Sequence, residues 1–407
     1  IEINIACLKI DLKFLCGINY YCKKTMIKTP KNFYDVVIVG GGLAGLTSAI
    51  HLSKFGVNIL VIEKNAYPKH KVCGEYVSNE VLPYLNYLGV DPFILGAKKI
   101  DKFLLSTQKN RIIETDLPLG GFGISRFVLD YALSNKAIEN GATIIQDSVE
   151  NIKFLDDLFE IGTKSQANFK AKIVIGAYGK RSAIDIKLDR DFIKNEAPFL
   201  AVKTHMKGNF PEDLVALHNF KGGYCGLSKV EDGSINVCYI TDFKSFKKHK
   251  NIKDFQKNVL CENPNLKVIF ENSIDLFPKP LTISQISFAN KSPVENHILM
   301  CGDTAGLIHP LCGNGMSMAI SSGQIVSQLI IRYFNGIIKS RSDLESSYRE
   351  SWNREFKLRL KVGRIVSVLF KKYNFSEIMM WVLKIFPKLL PNIIKQTHGK
   401  PLKIDEF

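Results

Sequence analysis

Apolar residues occur along this chain in two spacings. Short unbroken runs at 35–39, 57–62, 142–145, 172–177 and 297–301, several closed by glycine, predict fully buried parallel strands. Helical spacing follows the first run through Leu52, with Gly56 closing that helix, and recurs at Phe127, Leu129, Ala132 and Leu133. Residues 67–75 are rich in turn formers and lead into helical spacing through Leu88. Runs at 103–106 and 111–115 predict an antiparallel pair. From 199 to 240 the runs are strand-length and broken by Gly222-Gly223 and Asp232-Gly233, and 246–263 reads as a basic helix beside them. Glycine-rich parallel strands alternating with antiparallel inserts imply an α/β protein of two interleaved domains.

The stretch 35–64 adds chemistry to this pattern. Its first strand runs into Gly40-Gly41-Gly42-Leu43-Ala44-Gly45, and Glu63 and Lys64 end the second strand, Glu63 lying eighteen residues past Gly45. Gly40 permits the tight turn, Gly42 lets a pyrophosphate approach the backbone, and Gly45 allows close helix–strand packing. Free amides at the helix start, around Leu43 and Ala44, face the phosphates, and Glu63 is placed for ribose hydroxyls. Such a unit binds a dinucleotide.

Composition narrows the class. The 407 residues are 46% hydrophobic and 23% charged, which is globular rather than disordered. Nine cysteines without a CxxC pair indicate neither a disulfide framework nor a zinc site, so no metal is expected and a reducing cytoplasm is the default location. Residues 1–33 begin with Ile and carry Lys9, Asp11 and Lys13 in their apolar part, a poor signal peptide; they read as a disordered lead or an over-extended reading frame. The uncharged runs 36–53 and 304–331 are rich in glycine and serine and read as core rather than bilayer spans. The net charge of +16 is concentrated late: eleven Lys or Arg and one acidic residue, Glu377, fall between Lys357 and Lys403. No nucleic-acid motif accompanies that charge, so nucleic acid is not an expected partner.

The opening fingerprint, Arg126 at a helix start and the stretch GDTAGLIHPLCGNGMSMAI at 302–320 resemble the superfamily of FAD-dependent geranylgeranyl reductases and aromatic-ring hydroxylases, over about 34–329. The resemblance implies FAD, with Gly302 and Asp303 at the ribityl and pyrophosphate region. It also implies that Pro310, Gly313, Asn314, Gly315 and Met316 form the loop and helix start that meet the flavin pyrimidine edge, where a positive helix end stabilises anionic reduced flavin. Residues 69–75, with Lys71 and Cys73, resemble the reductase segment that passes the isoalloxazine ring. Cys73 is a weak catalytic candidate, a buried small residue being the alternative, and His70 and His309 are open between structural and acid–base roles. The implied domains are 34–95, 121–185 and 290–335 for FAD, 96–120 and 186–289 for substrate, and a basic helical region at 336–407.

Departures bound the activity. The family's Gly-Ala-Asp-Gly is Gly176-Ala177-Tyr178-Gly179 here, so Tyr178 brings no carboxylate and the hydroxylases' nicotinamide mode is in question. The reductases' Tyr-x-Trp-x-Phe-Pro strand keeps only Tyr224, and the only tryptophans, Trp352 and Trp381, lie near the C-terminus rather than in the tryptophan-rich motif of the flavin-dependent halogenases, so halogenation is not expected. There is no second dinucleotide unit, so NAD(P)H is expected as a transient electron donor. The expectation is an FAD-dependent reductase or dehydrogenase acting on a small apolar molecule, isoprenoid-like or polyketide-like. The alternatives are an NAD(P)H-dependent monooxygenase and a non-catalytic flavin-binding protein at a membrane surface. At 357–372, Leu358, Val362, Ile365, Val366 and Leu369 share a helical face among basic residues, and apolar residues continue to Phe386 before Pro387 and Pro391. The tail therefore reads either as peripheral contact with an anionic membrane or as a helix packed over the substrate domain.

Overall fold

A computed structural model describes residues 31–196, 198–371 and 373–404, with the side chains of 368–376 not described. The expectation for the lead segment falls almost wholly outside the described residues. Phe33–Val39 forms the centre of an eight-stranded sheet, with Ile59–Glu63 on one side and Asn168–Gly176 on the other, both parallel to it. Thr143–Gln146 and Ile298–Met300 extend the two flanks in parallel, in agreement with the β-branched runs. Side chains of Ile59–Glu63, Ile298–Met300 and the C-terminal parts of Phe33–Val39 and Asn168–Gly176 are buried on both faces, which is why those runs lack alternation, whereas Thr143–Gln146 at the sheet's flank is only half-buried and Asn168–Lys172 alternates.

Helices Leu43–Lys54, Arg126–Glu139 and Gly315–Phe334 cover the parallel sheet, the first packed against both others. A Val149–Leu155 and Leu158–Thr163 hairpin joins the Asn168–Gly176 edge. Its two turn residues, Asp156 (φ 50°) and Asp157 (φ 60°), are both left-handed, the conformation that a two-residue hairpin turn matching strand twist requires.

The second sheet has nine strands. Phe199–Lys207, Ile235–Asp242, Gly223–Lys229 and Leu214–Phe220 pair antiparallel in that order, and Leu214–Phe220 then runs parallel to Lys98–Ser106. Lys98–Ser106 pairs with Ile112–Gly123, the expected antiparallel insert in longer form. Tyr76–Ser78 adds to its edge, so the segment read as turn and helix contributes a strand here before the short helix Leu82–Tyr87.

The single basic helix expected at 246–263 is a correction. Asp242 caps a four-residue turn, Phe243–Phe246, and Asn251, in extended conformation, restarts the chain as Ile252–Asn258 by accepting a bond from the Asp254 amide. Side chains that bond nearby amides offer the backbone an exit from the helix.

At the C-terminal side, Arg341–Lys371 is one 31-residue helix, followed by Tyr373–Ile385 and Leu389–Thr397. It buries Leu344, Tyr348, Trp352, Phe356 and Arg359, whereas Leu358 and Ile365, read as an apolar face, are exposed. Two members of the expected stripe thus lie on the outer surface, Val362 is half-buried, Val366 faces inward to a cavity, and the side chain of Leu369 lies outside the described residues.

Candidate functional site

The Gly40–Gly45 turn has the geometry its residue types dictate. Gly40 has φ +106°, and a Cβ there would fall 2.4 Å from the Ala177 carbonyl oxygen, so no other residue fits. A Cβ on Gly45 would lie 2.1 Å from the Gly40 carbonyl oxygen, the close helix–strand packing expected. Gly42 differs, because a Cβ would meet only Arg126 Nη2 at 3.6 Å and Lys71 Nζ at 4.0 Å. It leads into Leu43–Lys54 with no side-chain cap and no acidic residue in the first turn, so the amides of Leu43, Ala44 and Gly45 stay open to an anion.

The two cations above Gly42 are held by one carboxylate. Asp130, one turn along from Arg126, accepts from Arg126 Nε at 2.6 Å and Nη2 at 2.8 Å, and Lys71 Nζ lies 3.0 Å away. Burial alone would raise the Asp130 carboxyl, but Arg126 and Lys71 hold it below the usual range. Two positive charges against one negative leave a surplus of one beside open amides, the charge pattern a pyrophosphate needs. Glu63 ends its strand with Oε2 on the Gly41 amide (2.8 Å) and Oε1 on the Asn65 amide (3.0 Å) and side chain (2.8 Å), leaving lone-pair capacity for a hydroxyl. Lys64 beside it points to solvent.

On the other side, Gly302 and Asp303 sit in a short 3-10 turn after Ile298–Met300. Lys291 Nζ donates to the carbonyls of Asp303 and Lys180, both at 2.7 Å, and the Gly179 amide donates to Thr304 Oγ1 at 2.8 Å. Buried Arg190, paired with Asp185 at 2.9 Å, bonds the Thr304 carbonyl at 3.0 Å. The segment carrying Tyr178 thus braces the Asp303 turn through its backbone. Pro310 opens another 3-10 turn that ends at left-handed Gly313 (φ 63°), after which Gly315–Phe334 starts with Met316 buried. Asn314 does not cap that helix; its side chain is buried and donates to the Thr397 carbonyl at 2.7 Å. His309 is buried, accepts from the Leu311 amide and packs on Phe288.

Sequence reasoning missed a buried ionic cluster adjoining Cys73. Glu75, fully buried, binds Lys203 and accepts from the Arg126 amide at 2.8 Å, and its other oxygen is 2.7 Å from His205 Nε2. Burial favours the neutral acid, yet the His205 bond and the Lys203 charge hold Glu75 below the usual carboxylate range. Glu75 also sits at φ 53°, a strained conformation for this residue that these bonds fix in place. His70, stacked on Phe127, completes a set of three ligand-type side chains with atoms within 4.8 Å of one another, but the Glu75 charge is already taken by Lys203. Asn236 bonds the Cys73 and Gly74 carbonyls at 3.3 and 2.7 Å, tying this segment to the antiparallel sheet. For Asp130 the signal existed, since Arg126 and Asp130 are four apart on a predicted helix. For Lys203 and His205 there was none.

Cys73, Pro310 and Gly313 line one apolar cavity of about 170 Å³. The antiparallel sheet supplies Phe103, Leu117, Leu217 and Tyr224, and the C-terminal helices supply Leu383, Leu390 and Ile394.

A family model described as an FAD binding domain matches residues 33–351. The chain belongs to this FAD-binding family. The geometry fits that cofactor: an open glycine cradle under two cations, an acidic residue at the second strand end, and a helix start beyond the Asp303 turn. Among relatives of this FAD-binding protein, digeranylgeranylglycerophospholipid reductase of Thermoplasma volcanium is 22% identical over 398 residues, covering 90% of this chain and 98% of the relative. Digeranylgeranylglycerophospholipid reductase 1 of Methanopyrus kandleri is 24% identical over 370 residues, covering 85% and 93%. Conditioned medium factor receptor 1 of Dictyostelium discoideum is 21% identical over 386 residues, covering 87% and 74%. Among solved structures, the flavin-dependent brominase Bmp2 superposes with a TM-score of 0.74 at 17% identity, covering 89% of this chain and 93% of that one. That likeness is one of fold. In this FAD-binding protein Trp352 is buried under Gly306 and Trp381 is exposed, and neither lines the cavity.

Proposed function

We propose that this FAD-dependent oxidoreductase is a reductase or dehydrogenase of the geranylgeranyl-reductase kind, acting on an apolar isoprenoid-like or polyketide-like molecule held in the cavity. The observation that carries the reading is the cavity's position: aliphatic walls from the sheet and the C-terminal helices converge on Cys73, Pro310 and Gly313, where the flavin ring is expected. Bound FAD supplies hydride transfer at its ring. The chain's own residues do the rest. Gly42, Lys71 and Arg126 anchor the pyrophosphate, the Glu75 cluster fixes the segment beside the ring, and the aliphatic walls exclude water and hold the hydrocarbon. The digeranylgeranylglycerophospholipid reductases among its relatives support a prenyl-type substrate.

NAD(P)H enters this reading as a transient donor. The inner face of Tyr373–Ile385 lines the cavity through Met379 and Leu383, while its outer face exposes Ile378, Trp381 and Ile385, with Lys384, Phe386 and Lys388 exposed beside them. Apolar side chains mixed with cations suit an anionic bilayer that delivers the substrate. Among the described residues no helix is long and apolar enough to cross a membrane.

The test is anaerobic reduction of the FAD-loaded protein with NADH, NADPH or dithionite, followed by mixing with a polyprenyl alkene or with oxygen and an aromatic substrate. Reoxidation by the alkene, with one double bond lost, is the expected result. Reoxidation only by oxygen, with a hydroxylated product, overturns it in favour of a monooxygenase, and retention of FAD that no donor reduces overturns it in favour of a non-catalytic role.

A further inference from the structure

One glycine in the cavity wall is not required by the fold. Gly226 stands in the middle of Gly223–Lys229, a strand paired on both sides, where glycine costs stability because it has no side chain to pack. Gly223 in the same strand is required, since a Cβ there would fall 2.1 Å from the Ile240 carbonyl oxygen. At Gly226 the nearest atoms to a Cβ, Leu217 Cδ2 at 3.5 Å and the Cys238 carbonyl oxygen at 3.6 Å, lie at ordinary contact distance, and the backbone is not left-handed. A strand glycine that the backbone does not need is used where a ligand approaches the main chain closely.

The register shows where the missing side chain would point. Gly226 is directly opposite Leu217 on one neighbouring strand and Cys238 on the other, and all three border the apolar cavity. Leu227 and Tyr239 pack into the core on the opposite face yet border the cavity too, so the sheet is bare to its backbone around Gly226. The bare patch lies between the two loops assigned to the flavin. Two residues before it, the Tyr224 ring packs on His309, next to Pro310, with centroids 5.7 Å apart. Two residues after it, Ser228 Oγ reaches the Gly74 carbonyl, next to Cys73, at 3.5 Å. Four residues of strand span about 13 Å, longer than a six-membered ring is wide. The Tyr-x-Trp-x-Phe-Pro pattern, aligned on Tyr224, has an indole where this chain has Gly226. An extended chain would leave part of such a space unfilled, which is costly; a flat ring lying against the bare peptide fills it.

We propose that the substrate carries a ring at its reacting end, lying over Gly226 between the bare strand and the flavin, and that Gly226 is the residue that selects ring over open chain. Isoprenoid-like and polyketide-like molecules both include such carbocycles. This deepens the proposed function and rests on the cavity being the substrate site.

The experiment uses β-ionone and pseudoionone, isomers related by ring closure. The FAD-loaded full chain is titrated with each, following the perturbation of flavin absorbance. Wild type is expected to bind the ring isomer at least about 10-fold more tightly, the scale on which an apolar pocket discriminates against a misfit. G226L, which extends a side chain into the space, should weaken β-ionone by at least about 10-fold and pseudoionone by no more than about 3-fold while FAD stays bound. G226A adds one methyl group at ordinary contact distance and should lower the preference by about 3-fold, which keeps the test readable if leucine disturbs the strand. Equal binding of the isomers, binding of neither, equal weakening of both by G226L, or no weakening of either overturns the proposal. Loss of FAD from a folded G226L overturns it by giving the space to the cofactor. A protein that selects the ring but never passes electrons to an alkene would instead overturn the proposed function and leave the assignment of Gly226 standing.

Discussion

The glycines of the phosphate turn separate two reasons for a residue type. Gly40 and Gly45 are required by the fold, whereas Gly42 has ordinary backbone (φ −91°) and room for a methyl group. G42A is therefore expected to change the unfolding free energy of the apoprotein by about 1 kcal/mol or less and to weaken FAD binding by at least about tenfold. G45A should destabilise the apoprotein by about 2 kcal/mol or more, through overpacking. Urea denaturation and flavin fluorescence titration separate the two effects; equal losses of stability in both variants would sink the assignment of Gly42 to the ligand. At Glu75 the same scale gives a second prediction. K203M should cost about 3–5 kcal/mol, because it strands a buried carboxylate, and E75Q/K203M should recover a measurable part of that loss. Equilibrium denaturation of the four proteins in the cycle checks it. The phosphate turn was legible in the sequence because its spacing is local. Lys203 and His205 reach Glu75 only through folding, 128 and 130 residues away along the chain.

At the scale of elements, apolar β-branched runs identified every strand of the parallel core, most sharply where burial on both faces removes ambiguity, as in Ile59–Glu63 and Ile298–Met300. What periodicity overlooked was decided by capping and turn residues: Asp156-Asp157 in the hairpin, and Asp242 and Asn251 in the broken helix. In the Arg341–Lys371 helix, Tyr348, Trp352, Phe356 and Arg359 face the core while Leu358 and Ile365 face out. Arg359 is buried 3.3 Å from Glu80, and a helical projection cannot distinguish a paired arginine from a solvated one. If the outer face of Tyr373–Ile385 meets lipid, W381D/F386D should leave stability within about 0.5 kcal/mol of wild type, both side chains being exposed. The same variant should abolish sedimentation with phosphatidylserine vesicles while leaving FAD bound. Undiminished sedimentation would show that these residues do not carry the contact.

For the molecule as a whole, buried histidines set a limit on the acid side. His51 and His218 are each pushed down to about 4 by burial, helped at His51 by Lys54. Their unfolded counterparts titrate near 6.5, so between pH 6.5 and 4 the unfolded chain binds more protons than the native one. Stability that is complete above 6.5 is lost as the pH falls. Glu80 and Glu231, raised by burial, act in the opposite sense, their contribution fading as the pH rises above about 4.5. A comparison at a single site avoids that cancellation. H218Q should cost most above pH 6.5, and its cost relative to wild type should shrink by up to about 3 kcal/mol by pH 4. A cost independent of pH would mean that His218 titrates normally in the native state.

The Glu75 carboxylate joins a helix start beneath the parallel sheet to Lys203 and His205 on the antiparallel one. Domain grafting would expose that dependence. A chimera that keeps the flavin half and borrows a substrate half from another family member inherits the carboxylate but not its counter-ion. Such exchanges are viable only where lysine and histidine travel with the borrowed strand, so new substrate walls are more readily acquired by altering residues within this sheet than by replacing it.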